Sequence, residues 1–164
     1  MRNKKVLFVV QAALIAAIYV VLTYFISAFN LASGAIQVRV SEALTVLPFF
    51  TPAAIPGLAI GCFLSNLLTG CLPMDILFGS LATLLGAIGS YLLRRYKWLV
   101  PLPPVLANIL IVPYVLAYVY GAEGSIPFFM VTVGIGEVIS CYVLGSILLN
   151  ALLPYRNVLF KNER

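Results

Sequence analysis

The sequence contains no histidine, and its three cysteines, Cys62, Cys71 and Cys141, include no CxxC pair. Without histidine, a serine or cysteine nucleophile has no imidazole base and a metal ion loses its commonest protein ligand. An odd number of separated cysteines inside apolar segments is typical of small buried side chains rather than of disulfides or metal clusters. Most hydrolase and metalloenzyme activities are therefore disfavoured, and we expect no metal and no other cofactor.

Charged residues are also scarce, at 9% of 164 residues, whereas 63% are hydrophobic. Several apolar runs approach the ~20 residues that a helix needs to cross a ~30 Å hydrocarbon layer. The runs are continuous rather than alternating, which favours helices over a β-barrel. The sequence therefore predicts an all-α integral membrane protein with a single membrane domain, residues 1–164.

The net charge of +5 does not indicate nucleic acid binding, because of where the basic residues lie. Nine of the ten basic residues fall in three clusters that flank apolar spans, as cytoplasmic segments do. We therefore expect a multi-pass protein of the cell membrane with both termini in the cytoplasm. The clusters are Arg2, Lys4 and Lys5; Arg94, Arg95 and Lys97; and Arg156, Lys161 and Arg164.

Hydrophobic runs, prolines and glycines divide the chain into six helices. The second is too short to span alone, and Pro48, Pro52 and Pro56 predict a turn near Pro52. The fourth has a stripe of small residues, Gly79, Ala82, Gly86 and Gly89, which indicates close helix packing. The predicted helices cover residues 6–29, 40–51, 54–69, 75–93, 101–120 and 126–153.

Arg39 and Glu42 stand three residues apart at the head of an apolar run, where helical spacing lets them interact. Two interpretations remain open. The pair either fixes where the segment enters the membrane, or forms the polar rim of a ligand pocket.

Glu137 is the strongest single signal for a binding site. An ionisable side chain near the middle of a membrane helix costs about 2.5 to 3.5 kcal/mol to insert, so it normally faces a cavity or a partner. Gly134, Ser140 and Cys141 share its helix face. We expect ligand binding, with a structural hydrogen bond or a protonated buried acid as the alternatives.

Asn66 and Asn108 are further candidates, because each amide offers two donors and one acceptor to a planar ligand, although membrane asparagines also tie helices together. Asp75 is expected to stabilise the positive end of a helix dipole. Aromatic side chains could stack on a flat ligand, but most must face lipid or the core. The candidates are Phe49, Phe50, Phe63, Tyr114, Tyr118 and Phe128.

The run IQVRVSEALTVLPFFTPAAIPGL, followed by IGCFLSNLLTG and DILFGSLATLLGA, resembles the QueT family. These proteins are the queuosine-precursor substrate-binding S components of energy-coupling factor (ECF) transporters. The similarity covers nearly the whole chain and consists of long ungapped blocks. It implies a six-helix bundle of the ECF S-component type in a prokaryotic membrane.

The resemblance also implies partners: one transmembrane T subunit and two ATPases, which would power uptake since this chain has no Walker sequence. By similarity, an AxxxA surface on the first helix contacts the T subunit, with Ala13 and Ala17 as the first choice and Ala12 and Ala16 as the offset choice. The segment Asn30–Gln37 is expected to act as a lid.

The ligand that the resemblance implies is 7-aminomethyl-7-deazaguanine or its nitrile relative. A carboxylate can accept the paired N–H donors of a deazaguanine, and a second can pair with an aminomethyl cation. We hypothesise that Glu137 takes the guanine edge and Glu42 the aminomethyl group, or the reverse. Asn66 and Asn108 would then read carbonyl or ring nitrogen atoms.

The sequence leaves three alternative functions open. The first is an S component for another flat vitamin such as thiamine, riboflavin or folate. The second is a membrane-embedded enzyme that uses Glu137 as general acid or base, which the lack of histidine and of a clustered nucleophile disfavours. The third is a solitary channel-like or scaffold protein in which Glu137 is structural.

Overall fold

The structure, a computed structural model, describes residues 4–28 and 38–160, which form an all-α bundle. The predicted lid segment lies outside the described residues. The sixth predicted helix is interrupted after Glu137 by π-helical turns, and the remaining predicted segments are helical near their expected positions. The main elements are α1 (Lys4–Ala28), a 3-10 helix (Val40–Phe49), α2 (Ala54–Leu68), α3 (Pro73–Leu92), α4 (Leu102–Tyr118), α5 (Ile126–Glu137), a π-helix (Val138–Leu144), α6 (Gly145–Leu152) and α7 (Arg156–Leu159).

Four stretches within the described residues are long and apolar enough to cross a membrane. The 3-10 helix and α2 are shorter. Large apolar side chains are exposed on the outer faces of α1, α3 and α4, as expected where helices meet lipid. The chain is therefore an all-α membrane bundle. The four stretches are Lys4–Ser27, Pro73–Leu92, Lys97–Tyr118 and Ile126–Leu159.

The 3-10 helix lies at the centre of the bundle. Every residue from Ser41 to Pro48 is buried, and the helix contacts α1, α2, α3, α6 and the π-helix. The sequence predicted an α-helix here, but the N–H of Glu42 donates to Arg39 O at 2.9 Å, the i→i+3 bond of a tighter helix. At a rise of about 2.0 Å per residue the element spans roughly 20 Å, so it still ends inside the bundle. The expected turn follows it at Pro52 and Ala53.

Glycines let neighbouring helices approach closely. A Cβ at Gly86 would lie 2.6 Å from Pro104 Cα, and one at Gly89 would lie 2.4 Å from Pro103 Cβ. The Gly86 and Gly89 part of the predicted small-residue stripe is therefore the surface of α3 against which the start of α4 packs. Gly57 and Gly61 of α2 admit α1 in the same way.

One end of the bundle gathers basic residues from separate parts of the chain. Lys97 Nζ donates to Asn150 Oδ1 at 2.7 Å, and the Arg156 guanidinium lies 5.6 Å from the centre of the Phe49 ring. Gln11, near the start of α1, donates to Leu159 O at 3.5 Å. The chain's polar cavity is formed by the opposite ends of α1 and α4 and by the start of α3.

Candidate functional site

A cavity of about 420 Å³ opens where α1 and α4 end and α3 begins. This volume lies in the range of small-molecule sites, which are commonly about 300 to 1,000 Å³. Its wall combines apolar side chains such as Val112 and Leu116 with a set of hydrogen-bonding groups. The principal polar residues are Thr23, Arg39, Ser41, Asn66, Asp75 and Tyr120.

Asp75 is the carboxylate of the cavity wall. Its Oδ2 accepts a hydrogen bond from the Tyr120 hydroxyl at 2.7 Å, and that hydroxyl accepts one from the N–H of Leu72 at 3.3 Å. Burial, together with the hydrogen bond to Asp75, raises the pKa of Tyr120 further above the neutral range, in which a phenol is already a donor. Asp75 stands in the first turn of α3, as the helix-dipole interpretation expected, but it also presents an acceptor to the cavity.

Asn66 is buried in α2 and lines the same cavity. Its amide nitrogen donates to Cys62 Sγ at 3.6 Å. A Cβ at position 79 would lie 3.0 Å from this nitrogen and 3.6 Å from Asp75 Oδ1, so Gly79 leaves room for both polar groups. The glycine thus brings the amide and the carboxylate to one part of the wall.

Glu42 and Glu137 come together although they are far apart in the sequence. With Cys141 they form a buried group in which one ligand atom from each residue lies within 4.8 Å of the others. Glu137 Oε2 accepts from the Cys141 thiol at 3.4 Å. Glu42 Oε1 accepts from the Tyr19 hydroxyl, while Glu42 Oε2 is buried and has no hydrogen-bond partner. We call Glu42 and Glu137 the acid pair.

The acid pair lies behind the cavity wall rather than in it. Neither glutamate lines the cavity, but Tyr19, which donates to Glu42, and Ser41, its chain neighbour, both do. Arg39 and Glu42 interact electrostatically, and Glu42 also accepts a hydrogen bond from the Tyr19 hydroxyl. Arg39 itself is half-buried and faces the cavity.

The π-helix positions one half of the acid pair against the 3-10 helix. The Arg39 backbone N–H donates to Ser140 Oγ at 3.1 Å, and the Thr45 hydroxyl donates to Cys141 Sγ at 3.5 Å. A Cβ at Gly145 would lie 2.8 Å from Val46 Cγ1, so glycine allows the close approach. Wide π turns often accompany functional sites, and here they follow Glu137 directly.

Asn108 is buried in α4 but does not line the cavity. Its amide nitrogen donates to Pro104 O at 3.1 Å, within its own helix. The six aromatic residues proposed for stacking are also absent from the wall, whose aromatic members are Tyr19 and Tyr120.

Sequence reasoning missed the polar face of α1. Tyr19, Thr23 and Ser27 line the cavity, and their spacing of four residues places them on one side of the helix. Thr23 Oγ1 also donates to Ser41 Oγ at 2.8 Å, which joins α1 to the 3-10 helix. The i, i+4, i+8 spacing of hydroxyls in an apolar helix was the signal that could have identified this face.

The alanines of α1 fall on two different faces. A Cβ at Gly57 would lie 2.7 Å from Ala12 O, and one at Gly61 would lie 3.1 Å from Ala16 Cα, so these two alanines pack against α2. Ala13 and Ala17 are exposed. Within the described bundle, α2 therefore covers the Ala12–Ala16 face of α1, and the Ala13–Ala17 face is left exposed.

A family model described as QueT transporter matches residues 9–154. The queuosine precursor transporter QueT of Lactococcus lactis subsp. cremoris (strain MG1363) is 37% identical over 98 residues, which is 59% of this chain. The matched part spans 57% of that relative's length. No solved structure matches the chain significantly. Because the family model covers most of the sequence, the chain belongs to the QueT transporter family.

Proposed function

We propose that the chain is the substrate-binding S component of an ECF importer and captures a queuosine precursor in the cavity. The observation that carries the proposal is a ligand-sized cavity with a carboxylate in its wall and two more directly behind it, in a chain of a transporter family. The L. lactis relative is a queuosine precursor transporter by name, which supports the same ligand class.

The wall chemistry suits a 7-deazaguanine. The paired N–H donors of the guanine edge need a carboxylate, and Asp75 is the acid that the cavity exposes. Asn66 and Arg39, two of the predicted binding residues, can address the ring carbonyl and nitrogen atoms from the same wall. Glu42, Glu137 and Asn108 would act from behind the wall, and a ligand group would reach the two glutamates past Tyr19.

The energy for uptake would come from partner subunits: a T subunit and two ATPases. The exposed Ala13–Ala17 face of α1 is suited to close helix contact with such a T subunit. The basic end of the bundle would face the cytoplasm of a prokaryotic cell and the cavity would face outward, in line with the positive-inside rule. The protein would then be a transport subunit of the plasma membrane and not an enzyme.

Binding of 7-aminomethyl-7-deazaguanine to the purified chain in detergent tests this function. We expect saturable binding by calorimetry and weak competition by guanine and thiamine. Calorimetry is preferable to Trp98 fluorescence because Trp98 lies in the basic loop, at the end of the bundle remote from the cavity. Absence of binding, or a preference for thiamine, would reject the queuosine-precursor assignment.

A further inference from the structure

Glu42 carries a buried oxygen, Oε2, with no partner at hydrogen-bonding distance among the described residues. The hydroxyl of Thr83, which lies near the Glu42 carboxyl group, donates to Gly79 O at 3.1 Å instead. Glu42 is 1% exposed, and its other oxygen, Oε1, is held by Tyr19. A buried acceptor without a donor costs about 1 to 3 kcal/mol, and more when it is charged. The unsatisfied atom belongs to the acid pair, so a donor that comes from outside the chain has a defined place to bind.

The spacing of the acid pair fits an ammonium group better than a zinc ion. One carboxylate oxygen from each glutamate and the Sγ of Cys141 lie within 4.8 Å of one another. An ammonium nitrogen stands about 2.8 Å from a carboxylate oxygen, so it bridges two oxygens up to about 5.6 Å apart. A zinc ion, at about 2.1 Å from each oxygen, bridges only about 4.2 Å. An ammonium group can therefore bridge two oxygens at any separation up to the observed limit of 4.8 Å. A zinc ion can bridge them only if they lie closer than about 4.2 Å.

The charge around the cavity also favours a further cation, because three carboxyl groups share one guanidinium, that of Arg39. Asp75 lines the cavity and the acid pair lies behind it, whereas Arg39 is the one basic side chain of the described residues that faces this region. The other described basic residues are in the first turn of α1, in the loop after α3 and in α7. Two carboxylates held this close in a low-dielectric interior repel each other, and a cation between them removes that repulsion.

We propose that Glu42 and Glu137 jointly bind a primary ammonium group of the transported molecule. The inference rests on the proposed function and deepens it by naming the two residues that would recognise the amine of a flat, positively charged ligand. The ring would occupy the cavity beside Asp75, and the amine would extend past Tyr19 to the unsatisfied Glu42 Oε2. In the hypothesis drawn from the sequence, one glutamate binds the guanine edge and the other binds the aminomethyl group. In the proposal, both glutamates instead contact the same ammonium group.

Two ligands that differ at one substituent test the inference. The binding constants of 7-aminomethyl-7-deazaguanine and its neutral nitrile relative are measured by calorimetry on the wild type, E42Q, E137Q and the control E123Q. Glu123 is exposed in the loop between α4 and α5, so its substitution removes a charge without touching the site. Size-exclusion profiles check that each variant is folded.

We expect the wild type and E123Q to prefer the amine at least about tenfold. E42Q and E137Q should each lose about 10- to 100-fold in amine affinity while nitrile affinity stays nearly constant. Equal wild-type affinity for amine and nitrile would overturn the inference and keep the proposed function, and this comparison needs no variant. Amine preference that survives in both glutamine variants would also overturn it, moving the ammonium to Asp75. Binding of neither ligand by the wild type would overturn the proposed function as well.

Discussion

Tyr19 links the cavity to the acid pair at the scale of a single side chain. It is 1% exposed, lines the cavity and donates to Glu42 Oε1. In the ligand-free protein its hydroxyl supplies one of the donors that a bound amine would otherwise bring. The phenol is therefore a structural partner of Glu42 and, under the proposal, the side chain that an entering amine would have to pass.

Tyr19→Phe should separate these two effects. Removing the hydroxyl leaves both oxygens of Glu42 without a donor, which costs about 1 to 3 kcal/mol in the ligand-free state. We expect a lower thermal midpoint without ligand, and a larger rise of the midpoint on saturation with the aminomethyl compound than in the wild type. Tyr24→Phe, at an exposed position of α1, is the control and should change neither value. A smaller ligand-induced rise in Tyr19→Phe would instead mean that the Tyr19 hydroxyl binds the ligand directly.

At this scale the sequence identifies acids more readily than it identifies their partners. Glu42 and Glu137 could be selected because an ionisable side chain in an apolar helix costs free energy to insert into a membrane and usually has a functional role. That they meet depends on the packing of the 3-10 helix against the π-helix, which no spacing in the sequence encodes. Tyr120 escaped notice because tyrosines near helix ends are also common interface anchors. Tyr19 escaped notice because it lies within the long apolar run of α1.

The helices themselves were largely predictable, but their types were not. Apolar periodicity and prolines located the segments and the turn at Pro52. The same apolar run satisfies i→i+3, i→i+4 or i→i+5 bonding, so periodicity cannot distinguish them. The choice here follows tertiary contacts, such as Thr45 to Cys141 and the Arg39 N–H to Ser140.

The contact of α3 with α4 gives a test at the scale of the element. In Gly86→Ala the new Cβ would lie 2.6 Å from Pro104 Cα, a backbone atom, so the helices must separate. We expect a loss of about 1 to 3 kcal/mol, seen as a lower thermal midpoint. Gly134→Ala is the matched control, since its Cβ meets the Ile109 side-chain tip at 3.1 Å, which can turn aside. A Gly86→Ala midpoint at or above that of Gly134→Ala would contradict close α3–α4 packing.

The whole molecule is polarised between a basic end and a cavity end. Lys97 and Arg156 contact residues at the first end, while Asp75 and Tyr120 meet at the second. The sequence predicted this polarity from the clustering of its basic residues. It could not predict the cavity, which is assembled from the ends of several helices.

Cys71 reports on both the cavity and its orientation. It is half-buried and lines the cavity, whereas Cys62 and Cys141 are 1% and 0% exposed. If the cavity faces outward, a membrane-impermeant maleimide added to intact cells should label the wild type at this one thiol. Saturating 7-aminomethyl-7-deazaguanine should suppress most of the labelling, because a ligand in the cavity covers the sulfur. Cys71→Ser should remain unlabelled under the same conditions.

Two outcomes would contradict this prediction. Labelling that requires permeabilised cells would reverse the orientation of the cavity. Labelling that is unchanged by the ligand would place the bound molecule elsewhere.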